Sequence, residues 1–386
     1  MTLPSPDFDT IVIGAGIVGA SIAFHAAFHA AFHATSAQRV LVLEGEAAAG
    51  YHTTGRSAAL FTESYGPPAV RCLTRASRAF FLQPPAGFAQ TPLLSRRGVL
   101  LPGSAAQHDQ TRAFFETLCA EGARAQWLEG EAVRAMVPVL RPAASAVAVY
   151  DPDAFDIDVD TLLQGYLRGA RALGAQVVFN AAVSGISRHG GVWRVSTHSG
   201  PVFQAAQIVN AAGAWVDQVA ALAGVAPIGI EPRRRSAFVF QPPAGLSCQH
   251  WPAVVAIDES WYFKPDAGLL LGSPANADPD RPHDVVAEEL DVALGIHNIE
   301  HATTLIIRRP QRTWAGLRCF VADGEPVLGF EPGAPGFFWA AALGGYGIQS
   351  SPAVGRLCAA LLRGEAVPQD LVAQGLPLST VSARRS

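Results

Sequence analysis

Residues 10–44 read TIVIGAGIVGASIAFHAAFHAAFHATSAQRVLVLE, and this stretch decides the fold. TIVI at 10–13 is a short β-branched run of strand character. G-A-G-I-V-G at 14–19 supplies a turn, an alanine-rich stretch of helical character follows, and RVLVLE at 39–44 is a second strand. Strand, glycine turn, helix, strand is the opening of a dinucleotide-binding unit. Within it Gly14 permits the tight turn, Gly16 lets the backbone approach a pyrophosphate, and Gly19 lets helix and strand pack closely. The helix N-terminus offers free N–H groups to phosphate oxygens. Glu44 is placed to accept hydrogen bonds from a ribose diol and to repel a 2′-phosphate.

The spacing from Gly14 to Glu44 is 30 residues, longer than the roughly 20 the fingerprint expects. The tetrad AFHA, repeated at 23–26, 27–30 and 31–34, explains the excess, because removing two copies leaves 22. His25, His29 and His33 then recur every fourth residue, and the reading is a stripe of half-exposed imidazoles rather than a metal site, since no carboxylate or cysteine accompanies them. No Asp, Glu, Lys or Arg occurs from Ile11 to Ala37, a length that would span a bilayer, but the three histidines and the glycine turn favour a soluble unit.

A length of 386 residues with 49% hydrophobic composition fits two or three domains at roughly 150 residues each. The net charge is −4, and the 28 basic residues are Lys264 and 27 scattered arginines, which excludes a nucleic-acid binder driven by phosphate neutralisation. The five cysteines form no C-x-x-C pair and fit a reducing, cytoplasmic compartment, possible peripheral contact with the inner membrane face included. MTLPSPDFDT at 1–10 lacks the basic cluster of a secretory leader.

Downstream, helices are expected at about 69–81, 108–122 and 284–302, with LLSRRGVLLP as strand material. The aspartates at 151, 153, 156, 158 and 160 do not make a calcium loop, since Asp156 and Leu162 stand where Gly and Glu are needed. They read as a turn with an N-cap near Asp160 for a helix to Leu173. Strand-to-helix turns containing glycine recur at VNAAGAW and LGGYGIQSS, so elements of dinucleotide type stand at the start, middle and end of the chain. A large cofactor spanning the chain would use such turns, and this favours FAD over NAD. The fold class is α/β: a Rossmann-like FAD-binding domain from residues 1–82, 146–230 and 320–386, with a second α+β substrate domain on a mixed sheet from 83–145 and 231–319.

GYHTTGRSAA, RRRSAFVF, ESWYFKPDAGLLLGSPANADP, RRPQRTWAGLRCFVADG and GGYGIQS resemble, over nearly the whole chain, the FAD-dependent amino-acid oxidases and dehydrogenases that include glycine oxidase, sarcosine oxidase and D-amino-acid oxidase. The closest likeness is to bacterial D-arginine dehydrogenase. The resemblance implies oxidation of a D-amino acid at its α-carbon, with hydride passing to the flavin and the imino acid hydrolysing to a 2-oxo acid and ammonia. It implies a carboxylate clamp from Arg318 and Arg235, hydroxyls and lid surface from Tyr65 and Tyr262, an amine acceptor in the Gly316 carbonyl, and Gln349 facing flavin and substrate. Arginine suits the clamp because its planar fork binds two oxygens and keeps its charge. Around non-covalently held FAD the resemblance places Thr54, Arg56, Ser57, Ala58, Ala212, Gly213, Gly344, Gly345, Tyr346, Gly347, Ile348 and Gln349 beside the opening glycines. His52 is read as structural, and Cys319 falls outside the sarcosine-oxidase motif for flavin attachment.

Departures from the relatives bear on the substrate. The arginine-specific relatives carry a glutamate after LLS, absent from LLSRRGVLL, and a histidine after GRSAA that is here Leu60. A buried cationic side chain would lack its counter-charge, so neutral or apolar D-amino acids are expected. GLLLG at 268–272 has no lysine beside the flavin, which leans toward a quinone-like acceptor rather than O2. The alternatives are oxidation of a secondary amino acid such as sarcosine or proline, and a flavin-binding subunit or sensor without turnover. Metal, nucleic acid and an integral membrane segment are not expected; the oligomeric state is open.

Overall fold

The opening stretch forms a parallel pair of strands joined by a helix. Phe8–Ile13 pairs with Val40–Leu43 on one side and with Val202–Asn210 on the other, and Ile17–Phe32 is the connecting helix. The computed structural model describes residues 7–32 and 38–385. Gly14 makes the turn at φ +105°, a conformation that residues with a Cβ rarely adopt. The uncharged run is thus divided between a strand and a helix, and among the described residues no helix is long and apolar enough to cross a membrane.

These strands belong to an eight-stranded sheet ordered 183–189, 192–197, 202–210, 8–13, 40–43, 176–178, with Phe337–Ala341 parallel to the end of Val202–Asn210 and Val327–Phe330 beyond it. Its central strands are covered on both faces, as parallel strands are. Val12, Val40 and Val42 face a layer built from the helices Ile17–Phe32, Pro68–Leu82, Val159–Ala172 and Gly347–Leu362. Ile11, Ile13, Leu41 and Leu43 face a second core with Trp193 and Trp339. The alternation follows from the period of two along a strand.

A mixed nine-stranded sheet carries a third core, in which Phe238, Phe240, Phe263 and Ile299 are buried. Its order is 278–279, 231–240, 269–273, 262–266, 253–255, 99–103, 147–151, 126–129, with Arg312–Phe320 antiparallel to Glu231–Phe240. The division at residue 146 groups Val147–Asp151 with the cofactor region, yet its hydrogen bonds run to Val99–Gly103 and Gln126–Glu129 in this second sheet. A small sheet joins Leu60–Phe61, Phe155–Ile157 and Leu94–Arg96 between the two.

Three local expectations need correction. LLSRRGVLLP is not one strand: Leu94–Arg96 and Val99–Gly103 lie in different sheets, broken where Gly98 turns at φ +71°. The N-cap of Val159–Ala172 is Asp158 rather than Asp160, because its Oδ1 reaches the Thr161 N–H at 2.9 Å. His25 is buried, since its helix lies under Gly347–Leu362 rather than along the surface; the side chain of His29, and His33, fall outside the described residues.

Candidate active site

The two sheets meet along a cleft of three connected chambers. The first, about 1200 Å³ counting the part open to solvent, begins at Gly14 and Glu44 and ends at Thr54 and Gly213. A middle chamber of about 950 Å³ shares Gly16, Thr53, Thr54, Ala211 and Gly213 with it. The third, about 1520 Å³, shares Ser57, Ala58, Arg235, Tyr262, Arg318, Gly345 and Ile348 with the middle one.

This shape fits an extended dinucleotide carrying a ring system. The N-termini of Ile17–Phe32 and Gly347–Leu362 both open on the middle chamber, where N–H groups and helix dipoles favour anionic or electron-rich atoms. No carboxylate lines that chamber among the described residues. At the first chamber Glu44 is fixed, its Oε2 accepting from Ala15 N–H at 2.7 Å and its Oε1 from Glu46 N–H at 3.0 Å. Thr54 Oγ1 accepts from Ile17 N–H at 3.1 Å. Two of the N–H groups expected to be free for phosphate, those of Ala15 and Ile17, are therefore already bonded to the side chains of Glu44 and Thr54. His52 lines the same chamber, its Nε2 2.9 Å from Glu46 Oε1 and its ring 4.6 Å from that of Trp215.

The loop carrying Thr53–Arg56 is docked onto Arg312–Phe320. Thr53 Oγ1 donates to Leu317 O at 2.7 Å, and Trp314 Nε1 donates to Arg56 O at 3.0 Å. Arg56 faces the middle chamber, but its guanidinium donates to Val285 O at 2.7 Å, to Ala315 O at 3.1 Å and to Asp284. It is a strut between the loop and the second sheet, not a cation free for phosphate.

The substrate end is set by strand register. Arg235 lies opposite Gly316 and Arg233 opposite Arg318, so Arg235 and Arg318 are diagonal neighbours on one face. Tyr262 joins that face two strands away, through Ser273 and the neighbouring strand. Arg318 donates from Nη1 to the Tyr65 hydroxyl at 3.1 Å, and Arg235 donates from Nε to Asn276 O. Neither guanidinium has an ion-pair partner among the described residues. Burial, followed by the like charge of Arg318, pulls the Arg235 guanidinium below its ordinary value, though it stays charged at any working pH. Gly345 is needed for the approach of Arg318, since a Cβ there would stand 2.7 Å from its Cζ.

Tyr346, grouped with the cofactor residues from the sequence, lines the third chamber and not the middle one, with its ring 4.9 Å from that of Tyr65. Burial raises its phenol, so it remains a neutral hydroxyl. Gln349 is buried in the same wall, accepting from Thr62 N–H at 3.3 Å and donating to Thr74 Oγ1 at 3.1 Å. Gly344 and Gly347 line the middle chamber, Ala212 the first, and Ser57, Ala58 and Ile348 both the middle and the third. Leu60, Val99, Leu101, Phe114, Val255 and Ile257 give the third chamber an apolar wall.

Sequence reasoning missed two charged residues of that chamber. Arg71 pairs with Glu121 at 2.8 Å, and Glu259 is an exposed residue at φ +56° in the turn before Tyr262. The resembling string that begins at Glu259 pointed to Tyr262 alone. Lys264 is directed elsewhere, its buried Nζ 2.8 Å from Asp156 Oδ1. Cys319 lines the middle chamber, and burial pushes its thiol up to about 12, so no thiolate forms near neutral pH.

A model of the FAD dependent oxidoreductase family matches residues 9–361. Glycine oxidase of Bacillus licheniformis is 24% identical over 388 residues, covering 95% of each chain. The beta subunit of sarcosine oxidase from Rhizobium meliloti is 27% identical over 350 residues, 85% of this chain and 78% of that one. L-2-hydroxyglutarate dehydrogenase of Escherichia coli is 23% identical over 227 residues, 57% of this chain, and the match spans about half of that protein, 51%. Among solved structures, glycine oxidase from Geobacillus kaustophilus has the same fold, with a TM-score of 0.83 at 22% identity over 98% of this chain and 99% of that one.

Proposed function

The chain belongs to the FAD dependent oxidoreductase family, and on that premise we propose that it oxidises D-amino acids with neutral or apolar side chains at the α-carbon. The observation that carries the reading is the pair Arg235 and Arg318, two cations without carboxylate partners among the described residues, on one face where the middle and third chambers join. A substrate carboxylate there receives parallel N–H donors and supplies the missing counter-charge. Tyr65 holds Arg318 in orientation through its hydroxyl, and Tyr262 adds a second hydroxyl at the same face. The Gly316 carbonyl accepts from the substrate amine, which must be neutral when the Cα–H bond breaks. Gln349, bonded at both ends, fixes the wall behind.

FAD, when bound, supplies the two-electron acceptor for the hydride leaving Cα. The imino acid is then hydrolysed to the 2-oxo acid and ammonia. The protein contributes chiefly by positioning: the clamp fixes the carboxylate and the apolar wall receives the side chain, holding Cα toward the middle chamber. The D configuration rests on the sequence resemblance. With Lys264 paired to Asp156, a quinone-like acceptor is favoured over O2. The five free cysteines support a reducing, cytoplasmic location.

Glu259 favours a second reading, in which a basic side chain long enough to reach it finds a counter-charge at the chamber wall. Anaerobic bleaching of the bound flavin by D-Leu, D-Phe, D-Met, D-Arg, sarcosine and L-Pro, followed by admission of air, separates the possibilities. Preference for D-Leu, D-Phe or D-Met supports the proposal, and preference for D-Arg moves the reading to Glu259. Preference for sarcosine or proline makes the enzyme a secondary-amine oxidase. No bleaching by any of them refutes catalysis of this class, and rapid recolouring in air identifies an oxidase.

A further inference from the structure

The three most exposed large apolar side chains among the described residues are Leu290 at 77%, Ile306 at 72% and Val286 at 70%. All three belong to the helix Glu289–Ala302 or to the segments that enter and leave it. The inner side of this helix buries Val292, Gly295 and Ile299 against the strands Glu231–Phe240 and Leu269–Ser273. At 3.6 residues per turn Leu290, Ala293, Leu294, His297 and His301 share the opposite side, and all five are exposed. The chain leaving the helix folds back along its last turn, Ile307 N–H donating to Glu300 Oε1 at 2.6 Å, which sets Ile306 beside that turn. Exposed apolar residues scattered singly need no partner, whereas a cluster of the most exposed ones does.

The two ends of this face carry opposite charge. At the start of the helix Asp278, Asp280, Glu288 and Asp291 share the single guanidinium of Arg234, so negative charge is in excess there. Glu289 adds a further exposed carboxylate, and Arg281 answers only one of them. At the far end Arg308 and Arg309 follow Ile306, and Arg141 lies against the last turn, its N–H donating to Ala302 O at 2.9 Å and its Nε to Glu300 O at 3.5 Å. Among the described residues these three arginines make no ion pair, and they outnumber the two acids of that end, Asp258 and Glu300. Arg308 and Arg309 stand beyond the helix, so its dipole does not account for them.

We infer that this face docks a second copy of the chain, helix against helix and antiparallel about a two-fold axis. A two-fold interface uses the same patch twice and must therefore complement itself. Here it does, because reversing the direction of the copy lays its arginine end over the carboxylate end of the first chain, at both ends at once. With the axis beside Val292 and Ala293, Leu290 of each chain meets Leu294 of the other and leaves water. A lipid surface carries one sign of charge throughout and would be repelled by the carboxylate end, so it fits the face less well. A contact centred on one helix of about 21 Å is small for a permanent dimer, and a dissociation constant on the order of 10 µM is expected. The inference is independent of the substrate and acceptor assigned to the cleft.

Sedimentation velocity of the FAD-loaded chain from about 1 to about 100 µM tests it, and a monomer–dimer equilibrium is expected. Leu290→Glu, at an exposed position away from the cleft, should weaken association by about tenfold or more and leave flavin content and amino-acid turnover unchanged. Glu289→Arg in one preparation, and Arg308→Glu with Arg309→Glu in another, should each weaken self-association. Mixed together, those two preparations should pair more tightly than either does alone, because the exchanged charges then face their opposites. A monomer at every concentration, a dimer that Leu290→Glu leaves intact, or a mixture that pairs no better than its components would overturn the assignment. Sedimentation of the monomer with phosphatidylglycerol vesicles, abolished by Leu290→Glu, would overturn it too and give the face to lipid.

Discussion

Arg234 and Arg235 are consecutive on one strand and stand in opposite electrostatic surroundings. The back of the strand gives Arg234 four carboxylates, Glu288 at 2.7 Å, Asp291 at 2.9 Å, Asp280 at 3.2 Å and Asp278 at 3.8 Å. The front gives Arg235 a backbone carbonyl, a like charge in Arg318 and no carboxylate among the described ion pairs. A cation whose counter-charges are built into the chain serves the fold. A pair of cations held close together without any serves an anion that comes from outside.

The largest effect expected of that difference is on the front face. Arg318→Met should lower kcat/KM for the best amino acid by about a thousandfold, near 4 kcal/mol, with the melting temperature held or raised because a like-charge repulsion is removed. Stopped-flow flavin reduction measures it, and a loss under tenfold would break the comparison.

The back face should behave inversely. Arg234→Met strands the two more buried carboxylates, Asp280 and Asp291, and should cost about 3 kcal/mol of stability. Flavin reduction by the folded fraction should stay within about threefold of the parent. A variant that unfolds no more easily yet loses activity would place Arg234 in the reaction.

His25 offers an intermediate case, beside arginines that are carboxylate-paired but leave it in a positive field. Its folded value near 3 lies below the 6.5 of the free imidazole, so between those values the unfolded chain binds the extra proton. Stability from this group is whole above about pH 6.5 and declines as pH falls, by about 2 kcal/mol at pH 5. His25→Leu should flatten the fall in melting temperature between pH 7 and pH 5, and an unchanged slope would show that the imidazole titrates alike in the folded and unfolded chain. The smallest effect belongs to Tyr65→Phe, which removes one hydroxyl from Arg318 and should cost about 1 kcal/mol, or fivefold, in kcat/KM.

The parts of the site made of backbone were the most legible in the sequence. Gly14, Gly16 and Glu44 stand at the first chamber and its junction with the middle one because a glycine turn between a strand and a helix has few other conformations open to it. The side-chain parts were less so. The presence of Arg56 near the cofactor was readable, but its use as a strut depends on Val285, Ala315 and Asp284, more than 200 residues away in sequence. Glu259 escaped notice because a turn residue acquires a pocket only when its hairpin is packed against another sheet. The opposite fates of Arg234 and Arg235 required knowing which face of the strand meets the cleft.

From the chain alone came the two-sheet α/β class, the dinucleotide turn and FAD, since these depend on contacts between residues close in sequence and on a backbone geometry with few solutions. Tertiary structure decided which arginines lack counter-charges among the described residues, where Glu259 and Tyr346 lie, and that His25 is buried in the field of Arg356 and Arg363. Those outcomes depend on electrostatic and packing partners that only folding brings together, across separations that no local pattern encodes.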